Sequence, residues 1–215
     1  KHTLKSLIRR SGYEIRRVHD RPHTATSGLI TRFIHDDTSV NLFITDPHDH
    51  IQAHQVRGQF YEPDELLLMA KYFSPGGTFV DVGANVGNHS VFSGLFMSAG
   101  KIIAFEPGAI TCGHLKVNLG LNDLASISEV HQMGLSDTDA DSNLAYLTPG
   151  NWGRARISAN GEPIKLVAGD SVLGARHVDM IKIDVEGYEM KVLAGLEKTI
   201  TESRPMLFVE VENNN

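Results

Sequence analysis

A short apolar run followed by a glycine-rich turn stands near the middle of the chain. Residues 78–82 read Thr-Phe-Val-Asp-Val. A run this short and this rich in β-branched and aromatic residues is typical of a buried parallel strand. Gly83 and Gly87 bracket the turn that follows, and apolar residues at helical spacing continue to about residue 98. The segment predicts a strand, a turn whose backbone can approach a ligand closely, and a helix.

The alternation of strand and helix patterns continues through the rest of the chain. Further strands are predicted at 101–105, 127–133, 178–185 and 206–211, with helices at 64–73, at 109–119 and in a last stretch ending near 200. This β-α-β order favours an α/β fold, a mostly parallel sheet with helices on both faces. Residues 143–147 and 164–167 interrupt the order and predict an antiparallel pair across a long loop.

The first part of the chain carries a different pattern. Residues 1–18 have apolar positions at helical spacing and predict a short amphipathic helix. Residues 28–34 and 40–45 alternate apolar and polar side chains around a polar turn, which predicts a β-hairpin. We therefore expect an N-terminal helix and hairpin extension at 1–57, ahead of a core domain at 58–215.

Composition narrows the function classes. The 215 residues suffice for one α/β domain with a sizeable core. The net charge is −6 with both signs mixed along the chain, so we expect no nucleic-acid partner. No apolar run has the length of a transmembrane helix, so no membrane span is expected. Cys112 is the only cysteine, which excludes an internal disulfide and fits a reducing, cytoplasmic location.

The turn after the first core strand carries an acidic and an amide residue. Its pattern is Asp-x-Gly-x-Asn-x-Gly, formed by Asp81, Gly83, Asn85 and Gly87. A dinucleotide brings an anionic pyrophosphate to such a turn, and Asp81 would repel it. A ligand with a cationic ammonium or sulfonium group would be attracted. The turn therefore favours S-adenosylmethionine over NAD as the cofactor.

The next predicted strand ends in a second acidic residue. Glu106 and Pro107 follow the strand at 101–105. An acidic residue about 20 positions past the glycine turn, at the end of the second strand, suits hydrogen bonds to ribose hydroxyls. We expect Glu106 to bind the ribose of the cofactor, with Pro107 ending the strand beside it.

Three segments resemble the FkbM-type methyltransferases, a family that depends on S-adenosylmethionine. They are residues 80–87, residues 104–107 together with Asn118 and Asn122, and residues 181–189. The resemblance implies the class I methyltransferase Rossmann-like fold and O-methylation of a hydroxyl on a sugar, glycan or secondary metabolite. That fold ends with two more strands after the fifth, whereas this sequence stops at Asn215, so we expect the final strand pair to be lacking.

Acidic residues cluster where the last two predicted strands end. Asp184 and Glu186 follow the strand at 178–185, and the strand at 206–211 brings Glu210 to the same edge. Ligands of doubly wound sheets sit at the carboxyl ends of the strands. We expect Asp184 nearest the methyl-transfer point, as the base unless a nearby histidine serves. Glu186 is expected to orient the acceptor or the cofactor ammonium group.

Two further sets of residues complete the predicted site. Leu135, Ser136 and Asp137 follow the third strand, whose loop reaches the adenine edge in Rossmann-like sites, so we expect them to contact adenine. Trp152 and Arg154 lie in the long loop and could bind a hydroxyl-rich acceptor, or the loop could be an insertion that Trp152 anchors.

The segment before the core domain offers one more acceptor contact and a weak metal pattern. The resemblance places Glu62 near the mouth of the active site, although a surface cap or ion pair would explain it equally well. His50 and His54 could share a helix face. Since no other cysteine or histidine has metal spacing, we expect no metal site.

Two alternative functions remain open at this stage. One is an NAD-dependent oxidoreductase on a Rossmann fold, and the other is a non-catalytic module that binds S-adenosylmethionine. The pattern of Asp81 and Asn85 disfavours the first. The sequence does not separate the non-catalytic module from an enzyme, because the two differ only in whether they catalyse methyl transfer.

Overall fold

The structure is a computed structural model that describes residues 13–14, 17–20, 24–146 and 155–211. The strands are β1 Tyr13–Glu14, β2 Arg17–Asp20, β3 Thr24–Ser27, β4 Leu29–His35, β5 Thr38–Ile44, β6 Thr78–Val82, β7 Lys101–Phe105, β8 Ser128–His131, β9 Gly134–Ser136, β10 Ala140–Tyr146, β11 Ala155–Ser158, β12 Glu162–Ala168, β13 Met180–Ile183 and β14 Met206–Val209. The α-helices are α1 His50–Val56, α2 Pro63–Tyr72, α3 Asn88–Phe96, α4 Ala109–Leu121, α5 Gly169–Leu173, α6 Glu189–Gly195 and α7 Glu197–Ser203.

Five parallel strands form the central sheet. Their order is β14-β13-β6-β7-β8, and β6 pairs in parallel with both β7 and β13. The first strand of this sheet in the sequence therefore lies at its centre, and the chain turns outward in both directions from it. The predicted parallel α/β sheet is confirmed, and β6 and β7 have the bounds that the sequence predicts.

Alternate residues of the central strands enter two separate cores. Phe79 and Ile102 pack on one face with residues of α2, α3 and α4, including Leu66, Phe92 and Leu115. The neighbouring strand residues pack on the other face with residues of α5 and α6, in a cluster that contains Val80, Ile103, Ile181, Leu173 and Val192. Each fully buried side chain of this size stabilises the fold by about 1.5–3 kcal/mol.

The predicted hairpin forms and packs on the core. β4 and β5 pair antiparallel around Asp36 and Asp37, which both have positive φ. Asn118 in α4 accepts a hydrogen bond from the backbone N–H of Phe43 at 2.7 Å and donates one to the carbonyl of Val86 at 2.7 Å. Through Asn118, the hairpin is tied directly to the glycine-rich turn.

The helix predicted at 1–18 is wrong wherever the structure describes that segment. Residues 13–14 and 17–20 are strands, and Tyr13 pairs with Thr31 at the edge of the hairpin. Pairing with an available sheet edge satisfies backbone groups that a short isolated helix would leave to water. The remainder of the predicted helix lies outside the described residues.

A second, mixed sheet stands beside the central one. Its order is β11-β10-β12-β9, and the predicted antiparallel pair is confirmed as β10 with β12. The third core strand is shorter than predicted: residues 125–127 form a 3-10 turn before β8, and the strand ends at His131. The last predicted helix is divided into α6 and α7 near Gly195, where a Cβ atom would lie 1.8 Å from the carbonyl oxygen of Ser136.

Candidate functional site

A cavity of about 380 Å3 opens at the carboxyl ends of β6, β7 and β13. This is where the order of a doubly wound sheet reverses and where such folds bind ligands. The second sheet and the segments around His50 and Tyr61 close its sides. The polar side chains that line it are His50, Tyr61, Glu62, Asn85, Asn88, His89, Glu106, Lys182, Asp184, Glu186, Tyr188 and Glu210.

The glycine-rich turn is shaped by packing inside the protein. Gly83 has φ of 77°, and a Cβ atom there would lie 1.9 Å from the carbonyl oxygen of Asp184. Gly87 has φ of 91°, and its Cβ would lie 2.6 Å from the side chain of Leu115. Gly83 also lines the cavity, whereas Gly87 does not. Room for a ligand is therefore not the reason for glycine at position 87.

The first three backbone donors of this turn are already used. The N–H groups of Gly83 and Ala84 both donate to the carbonyl of Phe105 at 3.0 Å. The N–H of Asn85 donates to Oε2 of Glu106 at 2.8 Å. Three successive N–H groups therefore point to acceptors within the protein and are not available to a bound phosphate.

Glu106 lies buried at the end of β7 and lines the cavity. Besides the bond from Asn85 to its Oε2, its Oε1 accepts hydrogen bonds from the Gly108 N–H at 2.9 Å and from the Thr111 hydroxyl at 2.7 Å. Burial raises the pKa of Glu106, and these hydrogen bonds oppose the shift. A carboxylate has about four acceptor positions. Three are occupied, which leaves one for a further donor.

Asp81 lies beneath the turn and does not reach the cavity. It is fully buried, and its Oδ2 accepts a hydrogen bond from the Ser90 hydroxyl at 2.6 Å. Nζ of Lys182 lies 3.5 Å from Oδ1 of Asp81 and donates to the Gly83 carbonyl at 3.0 Å. The charge that the sequence assigned to cofactor attraction is thus compensated inside the protein.

Lys182 is a site residue that the sequence analysis missed. It lines the cavity, and its Nζ lies 3.5 Å from Oδ2 of Asp184 as well as from Asp81. Burial lowers the pKa of Lys182, but the charges of Asp81 and Asp184 outweigh that effect and the net shift is upward. Its signal in the sequence was a single lysine within an otherwise apolar strand pattern.

The acidic residues predicted for catalysis meet at one side of the cavity. Asp184, Glu186 and Glu210 all line it, together with Glu62. Partial burial, followed by the charges of Asp184 and Glu62, raises the pKa of Glu210 to about 7. Burial also raises the pKa of Glu62, and burial and Glu62 together raise that of Tyr61.

His89 is a second residue that the sequence analysis missed. It lies in the first turn of α3 with 6% of its surface exposed, and burial lowers its pKa to about 3. Its Nε2 lies 3.8 Å from Oε2 of Glu62 and makes no hydrogen bond with any part of the chain that the structure describes. A histidine directly after Gly87 and Asn88, where the helix begins, was the available signal.

The remaining predicted residues divide into three groups. Leu135 and Pro107 line the cavity. Ser136 is buried and donates a hydrogen bond to the exposed Asp137, and neither side chain lines the cavity. Trp152 and Arg154 lie outside the described residues, so their predicted contacts with the acceptor stay predictions.

The pair His50 and His54 lies on α1, as the spacing predicts. The two rings contact each other and Tyr61, with centroids 5.1–6.0 Å apart. His50 lines the cavity, whereas His54 does not. The pair therefore supports the wall of the cavity through edge-to-face ring contacts.

Residues 81–215 match the model of the methyltransferase FkbM domain. The chain belongs to the FkbM methyltransferase family. The family resemblance found in the sequence is thereby confirmed. The matched segment contains Glu106, Lys182, Asp184 and Glu210, whereas Glu62 precedes it.

Hexuronic acid methyltransferase AglP of Haloferax volcanii is 27% identical over 155 residues, covering 70% of this chain and 62% of that protein. Methyltransferase sdnD of Sordaria araneosa is 28% identical over 155 residues, covering 55% of this chain and 60% of that protein. The chain thus spans about three fifths of the length of these two family relatives. A solved rRNA methylase from Streptococcus thermophilus is 14% identical, covering 64% of this chain and 61% of that chain, with a TM-score of 0.42.

Within the described ranges, none of the helices combines the length and apolar character that crossing a bilayer requires.

Proposed function

We propose that this family member is an S-adenosylmethionine-dependent O-methyltransferase acting on a hydroxyl of a sugar or another hydroxyl-rich small molecule. The observation that carries the proposal is Glu106, a buried carboxylate at the end of β7 that lines the cavity and accepts three hydrogen bonds, which leaves one acceptor position. Such a group suits one ribose hydroxyl of the cofactor. The strand order β14-β13-β6-β7-β8 supports the class I methyltransferase fold.

The residues around the turn fit a cofactor that has no diphosphate. A dinucleotide pyrophosphate needs free backbone N–H groups at the strand-to-helix turn. Here Gly83, Ala84 and Asn85 donate to the Phe105 carbonyl and to Glu106. A diphosphate at this place would also meet the Glu106 carboxylate. This arrangement favours S-adenosylmethionine over NAD, for a reason independent of the buried Asp81.

When bound, S-adenosylmethionine supplies a methyl group on a positively charged sulfur. Leu135 and Phe105 give the cavity an apolar wall on which an adenine ring can pack. We assign Asp184, which lines the cavity beside Lys182, to accept a hydrogen bond from the acceptor hydroxyl. Alignment of that hydroxyl with the methyl group lowers the barrier, because the reacting atoms are already oriented before the reaction begins.

Glu210 is the group we assign to take up the proton. It lines the cavity near Asp184, and a carboxyl with a pKa of about 7 is available as a base at neutral pH. If the methyl group moved from sulfur to the hydroxyl oxygen, the sulfur–carbon bond would break to leave S-adenosylhomocysteine, and the Glu210 carboxylate would take up the hydroxyl proton. Glu186, held 3.9 Å from Arg156, is assigned to orient the acceptor.

The acceptor is proposed to be a neutral polyol in preference to an anion. Glu62, Asp184, Glu186 and Glu210 line the same cavity. Carboxylates accept hydrogen bonds from hydroxyl groups and repel carboxylates and phosphates. The relative named a hexuronic acid methyltransferase supports a hydroxyl-bearing, sugar-like acceptor. It does not support the absence of charge, because a hexuronic acid carries a carboxylate, so neutrality rests on the four acidic residues alone.

Binding measurements test the cofactor assignment. Isothermal titration of the purified chain with S-adenosylmethionine, S-adenosylhomocysteine and NAD should give heat with the first two only. Glu106→Ala should weaken both affinities at least tenfold, since a hydrogen bond to a charged group contributes about 1.5–3 kcal/mol. Binding of NAD in place of the sulfonium cofactor would overturn the proposal.

A further inference from the structure

Three side chains that can ligate a metal converge at the wall of the cavity. They are Glu62, Glu65 and His89, and one ligand atom from each lies within 4.8 Å of the others. Glu62 is the residue that precedes α2, Glu65 is in its first turn, and His89 is in the first turn of α3. Two helix starts therefore present an imidazole and two carboxylates to one point.

Two of the converging side chains have buried atoms without hydrogen-bond partners in the described ranges. They are Nε2 of His89, whose side chain is more than nine-tenths buried, and Oε2 of Glu65. Buried polar atoms are almost always satisfied in folded proteins, and exceptions call for a functional explanation such as an ion. Both unpartnered atoms belong to the same three-residue set, so one bound cation would satisfy both.

Hydrogen bonds join the two backbone segments that precede Glu62 and His89. The Tyr61 N–H donates to Oδ1 of Asn88 at 3.0 Å, and Nδ2 of Asn88 donates to the Tyr61 carbonyl at 2.9 Å. These reciprocal bonds join the residue before Glu62 to the residue before His89. Protein ligands at about 2.1 Å from one ion lie up to about 4.2 Å apart. The set therefore needs only a small closing rotation of a glutamate side chain.

We propose that Glu62, Glu65 and His89 bind a divalent transition-metal ion of the Zn2+ or Mn2+ type. One imidazole nitrogen with two carboxylate oxygens suits such ions, whereas Mg2+ and Ca2+ prefer oxygen ligands alone. The inference departs from the expectation of no metal. The sequence shows no metal motif here, because the ligands come from two helices separated by β6.

The proposed ion would border the acceptor. Glu62 and His89 both line the cavity that holds Asp184 and Glu210. A divalent ion there can polarise a hydroxyl and lower its pKa. This role in the reaction rests on the proposed function, whereas metal binding itself does not.

A direct binding experiment tests the site without the cofactor. The chain is stripped with a chelator, dialysed against Zn2+, Mn2+ or Mg2+, and assayed for bound metal by mass spectrometry. We expect one Zn2+ or Mn2+ per chain and no retained Mg2+. Co2+ substitution should add visible absorption bands, which report coordination and not catalysis.

Matched variants identify the ligands. Glu65→Gln and His89→Gln should each lower the Zn2+ affinity at least tenfold, and Asp64→Asn is the control because Asp64 is exposed in the same helix turn. Circular dichroism shows whether each variant is folded. If His89→Gln does not fold, Glu65→Gln still tests the site, because glutamine has the same carbon skeleton as glutamate. Unchanged affinity in a folded Glu65→Gln variant, or no bound metal in the unmodified chain, would overturn the site. The metal-binding experiment contains no S-adenosylmethionine. A chain that binds no metal therefore does not contradict the cofactor proposal, and a chain that binds no cofactor does not contradict a measured metal site.

Discussion

Lys182 is expected to be the most sensitive single residue for stability. Its ammonium group lies 3.5 Å from both the fully buried Asp81 and the partly exposed Asp184. In Lys182→Met, the Asp81 carboxylate keeps its hydrogen bond from Ser90. It loses the one cation with which it forms an ion pair among the described residues. Removing one partner of a buried ion pair costs about 3–5 kcal/mol, because the other charge remains buried. The loss is a large part of the roughly 5–15 kcal/mol that stabilises a typical domain.

Urea denaturation followed by circular dichroism measures this effect. With a slope of roughly 2 kcal/mol per molar urea, the midpoint of Lys182→Met should fall by about 2 M. Lys116→Met is the control, since Lys116 is exposed on α4 and the same change there should cost under about 0.5 kcal/mol. The double variant with Asp81→Asn should recover much of the loss, because it removes the buried charge.

The double variant separates two explanations of a low midpoint. If lost packing of the lysine stem were the cause, Asp81→Asn would add its own loss to that of Lys182→Met. If the uncompensated charge is the cause, the double variant lies above the single one. A single variant within 1 kcal/mol of the unmodified chain would refute the reasoning altogether.

Three further outcomes are expected. The pKa of Glu210 is raised from 4.5 to about 7, so the folded state holds its proton more tightly and stability should fall as pH rises across that window. In thermal melts at pH 8, Glu210→Gln should be more stable than the unmodified chain by about 1 kcal/mol or less, because solvent screens the charge. At pH 4 the two proteins should have the same stability. Gly83→Ala should destabilise by more than 2 kcal/mol in urea titrations, because its Cβ would lie 1.9 Å from the Asp184 carbonyl at φ of 77°. Asn118→Ala should expose the hairpin amides near Phe43 to hydrogen exchange, and unaltered exchange there would contradict the anchoring role.

The strands of the central sheet could be predicted because each is a compact apolar run between clear breaks. β6 and β7 have the predicted bounds, and the predicted hairpin appears as β4 and β5. The strand at 13–14 could not be predicted, because its pairing with Thr31 depends on a sheet edge formed elsewhere in the chain, whereas residues 17–20 pair with the nearby residues 24–27. Helical spacing in a short segment is weaker than the gain from completing a sheet.

The candidate site could be predicted where acidic residues follow the ends of predicted strands, as with Glu106, Asp184 and Glu210. The site could not be predicted where the partner of a charged side chain depends on which strands become neighbours in the sheet. Asp81 and Lys182 are direct partners across β6 and β13, although a long stretch of chain separates them. In the sequence, Asp81 reads as a charge offered to a ligand. In the fold, the partner strand supplies its counter-charge, and the glycine turn above it is fixed by the same lysine.

That pairing determines where the site needs positive charge. Lys182 compensates Asp81 and Asp184, and Arg156 lies near Glu186. Burial raises the pKa of Glu62, Glu65 and Glu210, nearby carboxylates raise each of them further, and Lys182 is the cation that opposes the shift in each. Carboxyls that raise one another's pKa lower the cost of bringing a cation among them. A divalent ion on the Glu62 side would meet that need. The cofactor proposal rests on Glu106 at the other side of the cavity, so the two proposals do not depend on each other.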